Sequence, residues 1–146
     1  MQRRSDDYLY SKLEVLWYAA EKGDIEEVKR ILSDIEGQQY NIDDDGAMLP
    51  EDDEYRGISP LYIAAYQGHN DIVKLLINET NSDIDFIMKN STSRNGAKGY
   101  IDGTPLIAAI SNGHKDVVET LIKAGGLIFS FLYSLSITLT KISALL

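Results

Sequence analysis

Residues 57–77, GISPLYIAAYQGHNDIVKLLI, have the pattern of two short helices joined by a tight turn. Ser59 can cap a free backbone N–H, and Pro60 suits the first helical turn because it has no N–H to lose. Gly68 marks the end of the first helix, since glycine adopts a left-handed conformation without a side-chain clash. Apolar residues then recur at helical spacing up to Ile77. Neither helix is long enough to be stable alone, so each must bury its apolar face against a neighbour.

Two further stretches copy this pattern, one on each side. Residues 102–122 are DGTPLIAAISNGHKDVVETLI, and residues 12–32 are KLEVLWYAAEKGDIEEVKRIL. The turn glycines are Gly23, Gly68 and Gly113, and successive members are 45 residues apart. A fixed period with matching flanking residues is the signature of a repeat solenoid.

The three copies resemble the ankyrin repeat, whose consensus is close to T-P-L-H-x-A-A-x-x-G-H-x-x-V-V-x-x-L-L. The match is strong in 57–77 and 102–125, and partial in 12–32. At the histidine position of T-P-L-H, this chain has Trp17, Tyr62 and Ile107. The period of 45 also exceeds the usual ankyrin unit of about 33 residues, so each connection carries an insertion of about 12 residues.

The resemblance implies an all-α, ankyrin-type helix–turn–helix repeat solenoid with long inter-repeat loops. We expect a repeat domain at residues 11–126, preceded by a flexible N-terminus at 1–10 and followed by an apolar tail at 127–146. The expected repeats cover residues 12–36, 57–85 and 102–126. Ser11 and Glu14 have the capping-box spacing, which predicts that the first helix begins at Ser11.

Composition narrows the classes of function. The chain has 146 residues, a net charge of −9 and no cysteine. The length suits one small domain, and the negative charge disfavours nucleic acid, which favours a basic surface. Without cysteine, disulfides, thiolate metal ligands and thiol nucleophiles are excluded. The N-terminus lacks the apolar run of a secretory signal, so we expect an intracellular, cytoplasmic protein.

The first insertion, residues 33–57, is rich in Asp and Glu, which is typical of a flexible, solvated loop. Five of its residues fall near the spacing of a calcium-binding loop: Asn41, Asp43, Asp45, Gly46 and Asp52. However, Asn41 replaces the usual first ligand, Asp52 is shorter than the usual glutamate, and Pro50 interrupts the loop. An incidental cation site is therefore favoured over a dedicated calcium site, and we expect no metal or cofactor.

The second insertion, residues 78–103, has the opposite charge pattern. Between residues 86 and 101 it contains three basic residues and no acidic one. The two insertions lie side by side on one edge of the solenoid, or they are two independent loops; the sequence leaves both open. Asn81 is predicted to end the second helix of the middle repeat in a left-handed conformation, in place of glycine.

The tail, LIFSFLYSLSITLTKISALL at 127–146, differs from everything before it. The chain has no charged residue from Ala124 to Thr140, a length near the lower limit for a membrane span. Its periodicity fits a strand and a helix equally well. Three interpretations stay open: a cap on the third repeat, a membrane-associating segment, or an altered end that replaces further repeats. We favour the first and the third, because an uncovered terminal repeat would be prone to aggregation.

No pattern in the sequence indicates an active site. His69 and His114 both follow a turn glycine, which is the position of a structural histidine in the ankyrin repeats that this chain resembles. No nucleophile–base pair or phosphate-binding loop has its expected sequence context. The acidic clusters could supply paired carboxylates, but nothing in a loop fixes their separation. We therefore expect a protein that is not an enzyme.

The resemblance implies a protein–protein interaction module that binds another protein through its loop tips and the surface of its first helices. By position, this surface includes Tyr18, Glu21, Lys22, Ile63, Tyr66, Gln67, Ala108, Ser111 and Asn112. At the loop approaches we add Tyr55, Arg56, Tyr100 and Ile101. Tyrosine and arginine are favoured interface anchors, although Tyr62 and Ile63 could instead pack between repeats. The alternative function is a membrane-associated adaptor tethered by residues 127–146.

Overall fold

The computed structural model of the chain describes residues 2–38, 42–43, 58–87 and 103–126, together with Leu139, Ser143 and Ala144. Within this part of the chain, six helices form three pairs, one pair for each copy of the repeat. The helices are α1 (Gln2–Lys22), α2 (Ile25–Asp34), α3 (Pro60–Gln67), α4 (Asn70–Glu79), α5 (Pro105–Ser111) and α6 (Lys115–Lys123). The predicted all-α fold of helix–turn–helix repeats is thereby confirmed.

The first helices of the second and third repeats begin where the sequence predicts, and for the predicted reason. The Ser59 hydroxyl accepts a hydrogen bond from the Tyr62 N–H at 3.1 Å. The Thr104 hydroxyl accepts one from the Ile107 N–H at 3.4 Å. Each contact satisfies a backbone donor that has no acceptor within its own helix.

The N-terminal helix is longer than predicted. α1 begins at Gln2, so the backbone expected to be a flexible N-terminus is helical, and the predicted start at Ser11 is wrong. Ser11 lies inside the helix, where its hydroxyl donates to the Tyr8 carbonyl oxygen at 2.7 Å. No glycine or proline interrupts the segment, and Leu9 packs against the core. Uninterrupted helix-compatible residues and this apolar contact outweigh a local capping signal.

The helices form two layers with the core between them. The first helices α1, α3 and α5 pack side by side, and the second helices α2, α4 and α6 form the other layer. Buried leucines recur at matching positions of the first layer, namely Leu16, Leu61 and Leu106. The corresponding buried residues of the second layer are Ile31, Leu76 and Leu121. The apolar faces are therefore buried by stacking, as expected for helices too short to be stable alone.

Polar contacts also join neighbouring repeats. The Trp17 indole N–H donates to the Ile58 carbonyl oxygen at 2.8 Å in a buried position. Trp17 stands where the consensus has histidine, so a larger donor replaces the imidazole there. In the second layer, the Thr120 hydroxyl donates to the Asn70 side-chain oxygen at 2.8 Å. The Trp17 contact in particular fixes the register of neighbouring repeats, because a buried polar group needs its partner.

The second helix of the middle repeat ends without a left-handed residue. The prediction for Asn81 is wrong, because every residue with positive φ in the described part of the chain is a glycine. α4 ends at Glu79, and the Thr80 hydroxyl donates to the Leu76 carbonyl oxygen. The same hydroxyl oxygen accepts from the Ser82 N–H at 3.1 Å. The threonine side chain satisfies a terminal carbonyl group, so no glycine is required.

Candidate functional site

Two histidines, one in the second repeat and one in the third, each bind the repeat that precedes them. Nε2 of His69 donates to the Glu21 carbonyl oxygen at 3.0 Å, and Nε2 of His114 donates to the Tyr66 carbonyl oxygen at 2.9 Å. A carbonyl oxygen can only accept, so Nε2 carries a proton in both rings. Both contacts span 48 residues of sequence. This geometry agrees with the prediction that the histidines are structural.

The turn glycines lie directly against these imidazole rings. A Cβ atom at Gly23 would stand 2.7 Å from Cε1 of His69, and one at Gly68 would stand 2.6 Å from Nδ1 of His114. Both glycines also have positive φ angles, 81° and 82°. Only glycine meets both conditions, because it has no Cβ and adopts the left-handed region freely. The turns at Gly23 and Gly68 therefore each leave room for the histidine of the next repeat.

The ends of α1, α3 and α5 form a row at the turns. We call the six predicted residues in this row the turn face: Glu21, Lys22, Tyr66, Gln67, Ser111 and Asn112. The exposed members are Lys22, Gln67, Ser111 and Asn112, and the other two are half-buried. The structure thus brings together six of the predicted partner-binding residues along one series of turns.

Internal contacts hold parts of the turn face in place. The Tyr66 ring stacks on Tyr62, with ring centroids 6.2 Å apart and an angle of 22° between the planes. The Tyr62 ring is fully buried, so it supports Tyr66 from the core side. At the third turn, the Asn112 side-chain amide donates to the Ala108 carbonyl oxygen at 2.9 Å. These side chains lose less freedom on binding a partner than unrestrained ones would.

One repeat position, occupied by Tyr18, Ile63 and Ala108, is more buried than predicted. Ile63 is fully buried, so its prediction as a partner contact is wrong, and the alternative of packing between repeats is correct. The reason is that α3 lies between α1 and α5. Ala108 is buried as well. Tyr18 is half-buried, with its ring perpendicular to that of Trp17 at a centroid distance of 5.2 Å.

Four other predicted contacts cannot be placed on this surface. Tyr55, Arg56, Tyr100 and Ile101 lie outside the described residues. Their assignment to the binding face stays a prediction.

Asp43, one of the five residues of the calcium-like pattern, is buried. Its carboxylate accepts a hydrogen bond from the Asp83 N–H, which ties the first insertion to the end of the middle repeat. Burial of the carboxylate raises its pKa from the usual 3.8 to about 6. The other four residues of the calcium pattern lie outside the described residues. In the part of the chain that the structure describes, no group of three or more His, Asp or Glu side chains could hold a metal ion.

A concavity that the sequence analysis did not predict lies between the C-terminal ends of α2 and α4. It has a volume of about 690 Å³, and Leu32, Leu75 and Glu79 are part of its lining. Leu75 takes the position that is Arg30 in the first repeat and Thr120 in the third. An apolar residue at an otherwise polar repeat position is therefore the sequence feature that could have indicated this concavity.

The membrane alternative rests on a segment that is almost entirely outside the described residues. Apart from Leu139, Ser143 and Ala144, nothing of residues 127–146 is described. Among the helices that the structure describes, none combines the length and the apolar character needed to cross a membrane.

Comparison with known proteins identifies the repeat. A family model of ankyrin repeats, in three copies, matches residues 16–129, which is most of the chain. No match was found among curated proteins. Ankyrin repeats are in general protein–protein interaction modules, and the family is typically non-catalytic. The matched model and the three stacked helix pairs show that the chain belongs to the ankyrin-repeat family.

Proposed function

We propose that this chain is a non-catalytic interaction module that holds another protein at its turn face. The observation that carries this proposal is the pair of bonds from His69 and His114 to the preceding repeats. These bonds align the three first-helix ends before any partner arrives. A surface that is ordered in advance loses less conformational entropy on binding, so more of its contact energy contributes to affinity.

Tyr66 is the expected anchor of this surface. It belongs to the middle turn, between the turns that carry Lys22 and Asn112. Its ring is half-buried and supported by Tyr62, which leaves part of the ring surface open to solvent. Tyrosines with this combination of rigidity and exposure are over-represented among residues that dominate binding energy.

The remaining members of the turn face are polar, and we assign them to the rim of the interface. Lys22 and Gln67 are exposed and lie at matching positions of the first two repeats. Exposed polar residues of this kind contribute to specificity and orientation more than to affinity. The loop approaches, with Tyr55, Arg56, Tyr100 and Ile101, are proposed to extend the same face.

Affinity capture with the intact chain tests this assignment. The test variant carries Lys22→Ala, Tyr66→Ala and Gln67→Ala. The control variant carries Glu26→Ala and Asp71→Ala, which lie at matching exposed positions of α2 and α4 and outside the α2–α4 concavity. Captured proteins are quantified by mass spectrometry, and thermal melting verifies that both variants are folded.

We expect the turn-face variant to lose at least about tenfold in recovery of its specific partners, because removal of an anchor residue costs more than about 1.4 kcal/mol. The control variant should recover the same partners as the unchanged chain. Equal recovery by the turn-face variant would show that the binding surface lies elsewhere, for example at the α2–α4 concavity.

A further inference from the structure

The third repeat presents an apolar surface that is absent from the first two. Ile110, Val118 and Ile122 line an open concavity of about 580 Å³ formed by α5 and α6. We call these three residues the third-repeat outer face. Ile122 is 48% exposed, and the other two are half-buried. Large apolar side chains that share one exposed concavity are a sign of a docking surface.

The matching positions show what this surface is built to contact. In the middle repeat, Ala65 and Val73 stand where the third repeat has Ile110 and Val118, and both are fully buried. The equivalent residues of the first repeat are buried too. Each of those faces is covered by the following repeat. The third-repeat outer face therefore has the construction of an internal face.

The turn of the third repeat, like its outer face, has no covering neighbour among the described residues. The turns at Gly23 and Gly68 each receive a histidine from the next repeat. At Gly113, by contrast, a Cβ atom would have no described atom within 4 Å. Its φ angle of 74° nevertheless matches the other two turns. The turn therefore has the same shape as the other two, but no side chain among the described residues covers it.

The chain itself supplies a segment with the right properties. Gly126 is buried, and its N–H donates to the Leu121 carbonyl oxygen at 2.9 Å. Residues 127–146 thus leave directly from the third repeat. They are mostly apolar, and Lys141 is their only charged side chain. Such a segment gains free energy from burial against an apolar surface.

Two other occupants fit less well. A second copy of the chain would have to compete with a tethered segment, whose effective concentration is in the millimolar range for a short connection. Residues 127–146 do not themselves supply a further ankyrin unit, because the family match ends at residue 129 and this segment contains no proline or glycine. Glycine forms the turn in all three repeats, and proline begins the first helix of the second and third.

We propose that residues 127–146 fold back onto the third-repeat outer face and bury Ile110, Val118 and Ile122. The tail thereby closes the C-terminal end of the solenoid. It covers this face as the following repeat covers the matching faces of the first two repeats. In many repeat proteins, a terminal unit with a polar outer surface protects the last apolar face. Here an apolar segment would cover that face instead.

Thiol labelling of the full chain tests the proposal directly, because the natural sequence contains no cysteine. Ile122→Cys places one thiol at the centre of the face. The same substitution is then combined with Phe131→Asp and Leu135→Asp, which put charges into the tail. A cover that is in place nine-tenths of the time slows labelling about tenfold, and we expect the charged tail to remove that protection. Asp71→Cys, an exposed position on α4, should react equally fast in both backgrounds.

Three outcomes would overturn the proposal. Equal labelling rates with the natural and the charged tail would mean that the tail does not cover the face. Protection that grows with protein concentration would identify a second copy as the occupant. Protection that appears only when phosphatidylcholine–phosphatidylserine vesicles are added would identify a membrane surface instead.

A second measurement avoids dependence on the charged tail, which could disturb folding. A nitroxide at Lys115→Cys, beside the face, is placed on the otherwise unchanged chain. We expect broadened NMR signals from residues 131–140 in dilute samples. Signals from the tail that keep their full intensity would also contradict the proposal.

Discussion

The second and third repeats have nearly the same local structure but different surroundings. Both begin with a hydroxyl cap and a proline, and both turn at a glycine with positive φ. The second repeat has a helix pair on each side. Among the described residues, the third has a helix pair on one side only. Ile122 is 48% exposed as a result, whereas the core residues of the second repeat are buried.

This difference separates two contributions to the structure of a repeat protein, namely the local sequence of each unit and the neighbours that pack against it. Local sequence is sufficient to define a helix–turn–helix unit, since the same caps and turns recur at both sites. The stability of that unit depends on the neighbours that bury its faces. The second repeat should therefore be the most sensitive part of the chain, and the third should depend on whatever covers it.

The largest expected effect comes from a charge in the enclosed repeat. Ala64→Asp would place a carboxylate at a fully buried position with no partner designed for it. We expect a loss of more than about 4 kcal/mol, a large share of the stability of a small domain, and therefore no cooperative unfolding transition by circular dichroism. Glu119→Ala, on the exposed surface of the third repeat, should change the melting temperature little. Equal melting temperatures for the two variants would refute the solenoid.

A matched pair of turn substitutions should have an intermediate effect. Gly68→Ala forces a Cβ against the His114 ring and strains a left-handed backbone, at a combined cost of roughly 3 kcal/mol. Among the described residues, Gly113→Ala meets only the backbone strain, so we expect about 1 kcal/mol. Urea unfolding of both variants measures the difference. A larger loss for Gly113→Ala would mean that the third turn is the more tightly covered one.

The last comparison concerns how each repeat ends, and its effect depends on pH. In the second repeat, the buried Asp43 accepts from the Asp83 N–H. The matching position of the third repeat is Ile128, which belongs to the apolar tail. The pKa of Asp43 is raised to about 6, so the folded chain holds this proton more tightly than the unfolded chain does. This contribution to stability is complete below about pH 4 and is lost as the pH rises through about 6.

Asp43→Asn removes the titration and keeps an oxygen that can accept from the Asp83 N–H. Relative to this variant, the unchanged chain should lose stability between pH 4 and pH 7 in urea unfolding. A difference that stays constant across this range would show that Asp43 does not titrate between the two states in the expected way.

Much of the candidate site could be predicted from sequence, because repeats place equivalent residues at equivalent positions. Lys22, Gln67 and Asn112 were found in this way, and all three are exposed at the turns. Ile63 was assigned wrongly because its helix lies between two others, and that burial depends on stacking rather than on local pattern. The acceptor role of Asp43 could not be recognised for the same reason, since it needs a backbone group 40 residues away.

The sequence by itself determined the period, the helix starts at Ser59 and Thr104, and the turn glycines. These features depend on interactions within four or five residues, so they can be recognised in a linear pattern. Only the tertiary structure decided that His69 and His114 connect successive repeats and that Trp17 donates to the backbone of the next one. Such contacts join residues more than 40 positions apart, and their geometry exists only after the helices have stacked.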